Sequence, residues 1–121
     1  MPSKIERCAI YIRVSTAEQM MHGKSLEAQK QYLTNYAKEH NMTVAGVYAD
    51  EGKTARKELK KRKAIHSLLE DVKAGKIDVI IFWRIDRWFR NLSDFYKVQE
   101  VLDDNNVRWI SSSEPGINME T

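Results

Sequence analysis

Four short apolar runs, separated by stretches of helical periodicity, constrain the fold of this chain more than any other feature of its sequence. The runs cover residues 7–14, 43–49, 77–83 and 107–110. Runs of this length that are rich in Val, Ile and aromatic residues predict strands, and their continuous apolar character predicts a parallel sheet covered on both faces.

Three amphipathic stretches lie between these runs. Residues 25–40 begin with Ser25 at the position of an N-cap, residues 65–72 carry an apolar stripe that ends before Gly75, and residues 92–102 carry a third stripe. Strand and helix therefore alternate along the chain. The sequence predicts an α/β fold of three layers, with a mainly parallel four-stranded sheet and helices on both faces.

Size and composition predict one ordinary globular domain. The chain has 121 residues, of which 42% are hydrophobic and 31% charged. Its first residues contain no apolar segment of signal-peptide length, and no stretch approaches the ~18 apolar residues of a membrane span. The single cysteine, Cys8, excludes an internal disulfide, so we expect a cytoplasmic protein without membrane contact.

A basic segment at residues 53–63 suggests a polyanionic partner. It holds one acid, Glu58, and seven basic residues, which are Lys53, Arg56, Lys57, Lys60, Lys61, Arg62 and Lys63. Such a segment is about as often a solvated loop as a contact for a nucleic-acid backbone. By itself, this segment does not distinguish a solvated loop from a nucleic-acid contact.

Polar residues gather where the predicted strands end. In a parallel sheet these carboxyl ends share one edge, which is where ligands bind. The residues at or after the strand ends are Arg13, Ser15, Asp50, Arg84, Asp86, Arg87 and Arg90. Taken singly, most have ordinary explanations, since Ser15 fits a helix cap and Asp86–Arg87 a solvated pair. Arg13 is harder to explain in this way, because a charge in an apolar strand needs an acid or an anion beside it.

The excess of arginines over carboxylates at this edge suggests an absent anion. A guanidinium matches phosphate oxygens in bidentate fashion and keeps its charge at any relevant pH. A serine held among such groups could attack phosphorus while the arginines balance the developing charge. The sequence shows no metal-ligand pattern and requires no cofactor, and His22, His40 and His66 lie on separate segments.

The chain resembles the serine recombinases of the resolvase and invertase superfamily. Five stretches carry the resemblance in order, namely Tyr11-x-Arg13-Val14-Ser15-Thr16-x-x-Gln19, Ser25-Leu26-Glu27-Ala28-Gln29, Tyr48-Ala49-Asp50-Glu51-Gly52, Arg62, and Ile85-Asp86-Arg87-x-x-Arg90. The match covers roughly residues 6–120. Residues 20–24 and the Ser-Ser-Glu that ends at Glu114 look most like the large serine integrases of phages and mobile elements.

The resemblance implies a role for each matching residue. Ser15 would attack a DNA phosphodiester and form a 5′-phosphoserine linkage, so that strands are rejoined without metal or ATP. Arg13, Arg87 and Arg90 would bind the phosphate, and Asp86 would orient these arginines. The implied supporting residues are Tyr11, Gln19, Gln29, Asp50 and Arg62. Lys53, Arg56, Lys57, Lys60 and Lys61 then become candidates for DNA-backbone contacts.

The resemblance also implies partners and a domain context. Double-stranded DNA would be the substrate of a bacterial or phage-encoded protein that forms a dimer on each site and a tetramer in synapsis. We expect residues 1–121 to be the catalytic domain, truncated before a long dimerisation helix and a DNA-binding region. Such a fragment would be a monomer or weak dimer and inactive in recombination by itself.

The sequence departs from the family pattern at two places. Trp88-Phe89 replaces a leucine and a small residue between the two arginines of the last motif, and Ala55-Arg56 stands where a second glycine is common. The first change affects the expected local packing or a subunit contact. The second affects the expected conformation of the loop after Asp50.

Other functions remain open from the residues alone. The main alternative is a non-catalytic α/β module that binds nucleic acid through its basic segment. A phosphate-accepting receiver would use Asp50, but such domains hold magnesium with acids at the end of the first strand, where this chain has Arg13 and Ser15. A dinucleotide-binding enzyme would need a glycine-rich phosphate loop, which the sequence after Val14 lacks.

Overall fold

The computed structural model describes residues 5–14, 26–51, 63–83 and 92–112. The elements, in chain order, are β1 (Glu6–Val14), α1 (Leu26–Glu39), β2 (Met42–Glu51), α2 (Lys63–Lys73), β3 (Val79–Phe82), α3 (Leu92–Asp104) and β4 (Arg108–Ser111). The four strands pair only in parallel and lie in the order β2-β1-β3-β4. The predicted α/β fold with its parallel four-stranded sheet is confirmed.

Two apolar clusters, one on each face of the sheet, hold the layers together. On one face, Leu33 and Ala37 of α1 pack against β1 residues such as Ile10. On the other face, residues of α2 and α3, including Leu68 and Leu102, pack against Tyr11 and its neighbours. The central strand β1 is buried from Cys8 to Arg13, as its continuous apolar run predicts.

Each described helix is followed by a residue in the left-handed conformation. Gly75 has φ +76°, and Asn41 and Asn106 each have φ 58°. After α2, the amides of Gly75 and Lys76 donate to carbonyls of the last helical turn at 3.1 Å each, which is the usual hydrogen-bonded helix ending. Gly75 therefore ends the second helix where the sequence predicts.

Strand boundaries differ from the prediction by one or two residues. The structure extends β2 to Glu51, because Asp50 and Glu51 pair with Arg13 and Val14 of β1. It begins β3 at Val79 and extends β4 to Ser111. Apolar character alone ends β2 and β4 too early, because backbone pairing continues through the polar residues Asp50, Glu51 and Ser111, whereas it predicts a β3 longer than the observed strand.

Ion pairs close the amino edge of the sheet. The Arg7 guanidinium donates to both carboxylate oxygens of Asp78 at 3.1 Å, and Arg108 donates to Glu6 at 3.2 and 2.5 Å. The hydrogen bond with Asp78 raises the pKa of Arg7. Both arginines of this edge thus have a carboxylate of their own, and the edge is stabilised without any ligand.

Candidate active site

At the carboxyl edge, a buried cation lies beside a buried anion. Arg13 is 6% exposed and Asp50 is 3% exposed. The two residues are register partners on the adjacent parallel strands β1 and β2. Ser15 follows in the sequence two residues after Arg13. The structure therefore brings together two of the residues that the sequence predicts for a phosphate site.

The Asp50 carboxylate joins three elements. The hydroxyl of Tyr11, on β1, donates to Oδ2 at 2.7 Å, and the backbone amide of Ala64, in the first turn of α2, donates to Oδ1 at 3.0 Å. Amides of a first helical turn have no acceptor within their own helix, and a negative charge at this position is favoured by the helix dipole. Asp50 thus fixes the start of α2 against the end of β1.

Arg13 belongs to the face of the sheet that carries α2 and α3. Alternate residues of a strand share a face, and Ala9 and Tyr11 both belong to the cluster on this side. Arg13 continues the series and lies next to Asp50. Its guanidinium stays charged while buried, so this position gives the strand end a permanent positive charge. Asp86, the other acid that follows a predicted strand end, lies outside the described residues.

A small cavity lies at the same edge on the α1 side of the sheet. It has a volume of about 170 Å³ and is lined by Ala28, Gln29, Tyr32 and Trp83. Gln29 is a predicted supporting residue and is 4% exposed, whereas the neighbouring Tyr32 is 45% exposed. Trp83 directly follows β3 and is half-buried.

Sequence reasoning missed Tyr32 and Trp83. In the sequence, Trp83 is only the last residue of the third apolar run, and Tyr32 lies outside the apolar stripe of its helix. The available signal was the spacing of Gln29 and Tyr32, three residues apart on one helix, together with an aromatic residue at a strand end. Only the packing of α1 on the sheet brings the two elements together.

Most of the predicted catalytic residues lie outside the described residues. These are Ser15, Gln19, Arg62, Asp86, Arg87 and Arg90, with Lys53, Arg56, Lys57, Lys60 and Lys61 of the basic segment. Their roles stay predictions. The described part of the site consists of Tyr11, Arg13, Gln29 and Asp50.

The described residues form no metal-binding cluster and hold no activated cysteine. No three His, Cys, Asp or Glu side chains among them lie close enough to hold a metal ion. Burial raises the pKa of Cys8 to about 11, so its thiol is protonated and poorly nucleophilic at neutral pH. His40 and His66 are exposed. None of the helices in the described ranges has the length and apolar character needed to cross a membrane.

Comparison with known proteins identifies the family. The family model described as "Resolvase, N terminal domain" matches residues 8–121. A Bacillus subtilis (strain 168) protein named "Putative DNA recombinase" is 34% identical over 99 residues, which form 82% of this chain and 19% of that protein. The chain thus spans about a fifth of the length of this curated relative.

Two crystal structures resemble the chain closely. The N-terminal catalytic domain of TP901-1 integrase has a TM-score of 0.79 and 32% identity, over 93% of this chain and 82% of that one. The C-terminal catalytic domain of ISC1926 TnpA, an IS607-like serine recombinase, has a TM-score of 0.72 and 30% identity, over 86% of this chain and 67% of that one. The chain therefore belongs to the resolvase N-terminal domain family, and its fold is that of serine recombinase catalytic domains.

Proposed function

We propose that the chain is the catalytic domain of a site-specific DNA recombinase in which Ser15 is the nucleophile. The observation that carries the proposal is the buried Arg13 at the end of β1, beside Asp50 and two residues before Ser15. A permanent cation at this position suits a phosphate group next to the serine.

The proposed chemistry is a reversible phosphoryl transfer. The Ser15 oxygen attacks phosphorus, the bond from phosphorus to the DNA 3′ oxygen breaks, and the leaving oxygen takes up a proton. The 5′ phosphate is then esterified to Ser15. Attack by a 3′ hydroxyl on this linkage reverses the step and joins strands. Because one phosphate ester replaces another, the cycle needs neither ATP nor a metal.

The family resemblance assigns the remaining roles. Arg87 and Arg90 join Arg13 on the nonbridging oxygens, where they balance charge in the transition state. Asp86 orients these arginines, and Gln19, Gln29 and Arg62 complete the site. Asp50 and Tyr11 act as positioning residues, since they hold one another and the start of α2 in place.

The basic segment and the assembly belong to the same proposal. Lys53, Arg56, Lys57, Lys60 and Lys61 contact the DNA backbone and contribute affinity that falls as salt is raised. The complete protein binds double-stranded DNA as a dimer and forms a tetramer when two sites meet. No cofactor takes part.

A covalent-trapping experiment tests the nucleophile. The protein expressed from its complete reading frame is mixed with DNA from both ends of the element that carries its gene, with a nick placed so that the cleaved intermediate cannot be rejoined. We expect a protein band joined to the DNA 5′ end on a denaturing gel, formed in the presence of chelator. Ser15→Ala abolishes the band, whereas Ser67→Ala, at an exposed serine of α2, leaves it unchanged.

The same experiment separates the proposal from the alternative function. An unchanged band with Ser15→Ala would rule out Ser15 as the nucleophile. Absence of the band from the unaltered protein, combined with salt-sensitive DNA binding, would instead support the non-catalytic nucleic-acid-binding module.

A further inference from the structure

The cavity on the α1 side of the carboxyl edge has the chemistry of a nucleobase site. Its walls include two aromatic side chains, Tyr32 and Trp83, and a buried amide, Gln29. Aromatic rings stack on any base, and an amide carries both a donor and an acceptor for base edges. At about 170 Å³ the cavity is smaller than the ~300 Å³ at which sites for drug-sized ligands begin. Its size therefore suits a single base.

One aromatic wall lies on a helix, and the other directly follows a strand. Tyr32 and Gln29 lie three residues apart on α1, so they share one face of this helix. The carbonyl of Phe82, the residue before Trp83, accepts a hydrogen bond of 2.8 Å from the Ser112 amide. Trp83 is thereby attached to the end of β3 and to the chain after β4. The cavity is part of the folded framework of the domain.

The position of the cavity connects it to the proposed phosphate site. Arg13 is the penultimate residue of β1 and Trp83 follows β3, which are neighbouring parallel strands, so both residues lie at the same edge of the sheet. Arg13 belongs to the face that carries α2 and α3, and the cavity opens at this edge on the α1 side. Trp83 also stands three residues before Asp86 in the sequence. A phosphate bound at the arginines would leave the attached nucleotide close to this edge.

We propose that the Tyr32–Trp83 cavity binds the nucleobase next to the cut phosphodiester. The inference rests on the proposed function, because it requires a cut end of DNA. When a strand is cut, the base at the break loses its stacking neighbour on one side. An aromatic side chain replaces that neighbour, and the cut end is held until it is joined to a new strand. Stacking does not depend on which base is present, which suits a site that holds different ends.

Binding of short DNA ends tests the cavity without cleavage. The probe is a 12-base-pair duplex with one overhanging nucleotide that carries 2-aminopurine, and the matched probe has an abasic sugar at that place. We expect quenching of the 2-aminopurine fluorescence and a shift of the Trp83 indole N–H resonance with the first probe only. Equal binding of the abasic probe would show that no base enters the cavity and would overturn the proposal.

Substitutions identify the contribution of each ring. Trp83→Leu and Tyr32→Leu should each weaken binding of the base-bearing probe about tenfold, because they remove a stacking surface but keep an apolar side chain. Trp83→Phe and Tyr32→Phe should keep most of the affinity and show that the fold is retained. The control is Tyr96→Leu, at a tyrosine of α3 that is 63% exposed on the other side of the sheet. Identical behaviour of Trp83→Leu and Tyr96→Leu would contradict the proposal.

Covalent trapping with Trp83→Leu distinguishes failure of the subsite from failure of the proposed function. A normal yield of the Ser15-linked product with Trp83→Leu, together with no preference of the unaltered protein for the base-bearing probe, would remove the nucleobase site and leave the recombinase proposal intact. Loss of the product in the unaltered protein, with the fluorescence and resonance changes retained, would contradict the recombinase proposal instead. In that case the cavity would be a site for frayed DNA ends on a binding module, and its link to cleavage would be wrong.

Discussion

At the scale of single residues, the Asp50 carboxylate accepts one hydrogen bond from the Tyr11 hydroxyl and one from the Ala64 amide. Asp50→Ala leaves a buried hydroxyl and a first-turn amide without their acceptor. We expect the free energy of unfolding to fall by about 3 kcal/mol, measured by urea denaturation. Asp50→Asn keeps one acceptor oxygen and should lose about half as much.

Asp104→Ala is the matched control for this prediction, since Asp104 is an exposed acid at the end of α3. A loss below about 1 kcal/mol for Asp50→Ala would mean that neither hydrogen bond stabilises the fold appreciably.

Gly46 gives a second prediction at this scale. A Cβ atom at this position would lie 2.9 Å from the Tyr48 hydroxyl oxygen, and that hydroxyl donates to Asp71 of α2 at 2.5 Å. The tyrosine cannot move aside without losing this hydrogen bond. Gly46→Ala should therefore destabilise the chain by about 1–3 kcal/mol, even though alanine lowers the entropy of the unfolded state.

A double-mutant cycle checks the cause. In a Tyr48→Ala background the ring is absent, so Gly46→Ala should cost little or become slightly stabilising. Equal losses in both backgrounds would show that contact with Tyr48 is not the reason for glycine at this position.

At the scale of elements, burial of the Cys8 thiol in β1 makes the free energy of unfolding fall as the pH becomes alkaline. Burial raises the pKa of Cys8 to about 11 in the folded chain, whereas an unfolded thiol has a pKa near ~8.5. The unfolded state therefore ionises first, and the stabilisation present below pH ~8.5 is lost as the pH rises toward 11. We expect a loss of about 1 kcal/mol by pH ~9.5.

The variant Cys8→Ala tests this dependence through the slope of the unfolding free energy plotted against pH. The variant has a different stability at neutral pH because a small cavity forms, but the Cys8 contribution to the fall between pH ~8 and ~9.5 should disappear. Tyr48→Phe should retain that contribution, because an unfolded tyrosine ionises only near pH ~10. Identical slopes for the unaltered chain and Cys8→Ala would contradict the shifted pKa of the thiol.

The individual strands and helices can be predicted from the sequence, because each is determined by features of its own short stretch of residues. The apolar run of β1 predicts a central strand, and Gly75 predicts the end of α2. The order of the strands in the sheet cannot be predicted in this way, because β1 and β2 have similar apolar runs. In the structure β2 nevertheless lies at an edge of the sheet, where Val47 is 38% exposed. Which strand is central depends on how the helices cross over, and no short stretch of residues encodes this.

At the scale of the whole molecule, the parallel topology explains which site residues could be predicted. Arg13 and Asp50 were predicted to converge because the carboxyl ends of parallel strands share an edge. The contacts of Asp50 with Tyr11 and Ala64 could not be predicted, because they depend on where α2 starts above the sheet. The Tyr32–Trp83 cavity cannot be predicted for the same reason, since it requires the packing of α1 beside the end of β3.

The strand order also determines when the sheet can form during synthesis. β1 is made first, but its contacts lie with strands made much later, since Tyr11 meets Asp50 at a separation of 39 residues and Arg7 meets Asp78 at 71. Parallel neighbours cannot be joined by a tight hairpin, so no part of this sheet forms from adjacent segments alone. The inner strand β1 therefore lacks its second neighbour on the ribosome until β3 has emerged, and completion of the sheet depends on long-range closure. Such closure is slow and leaves β1 exposed to aggregation until the chain through Phe82 has emerged.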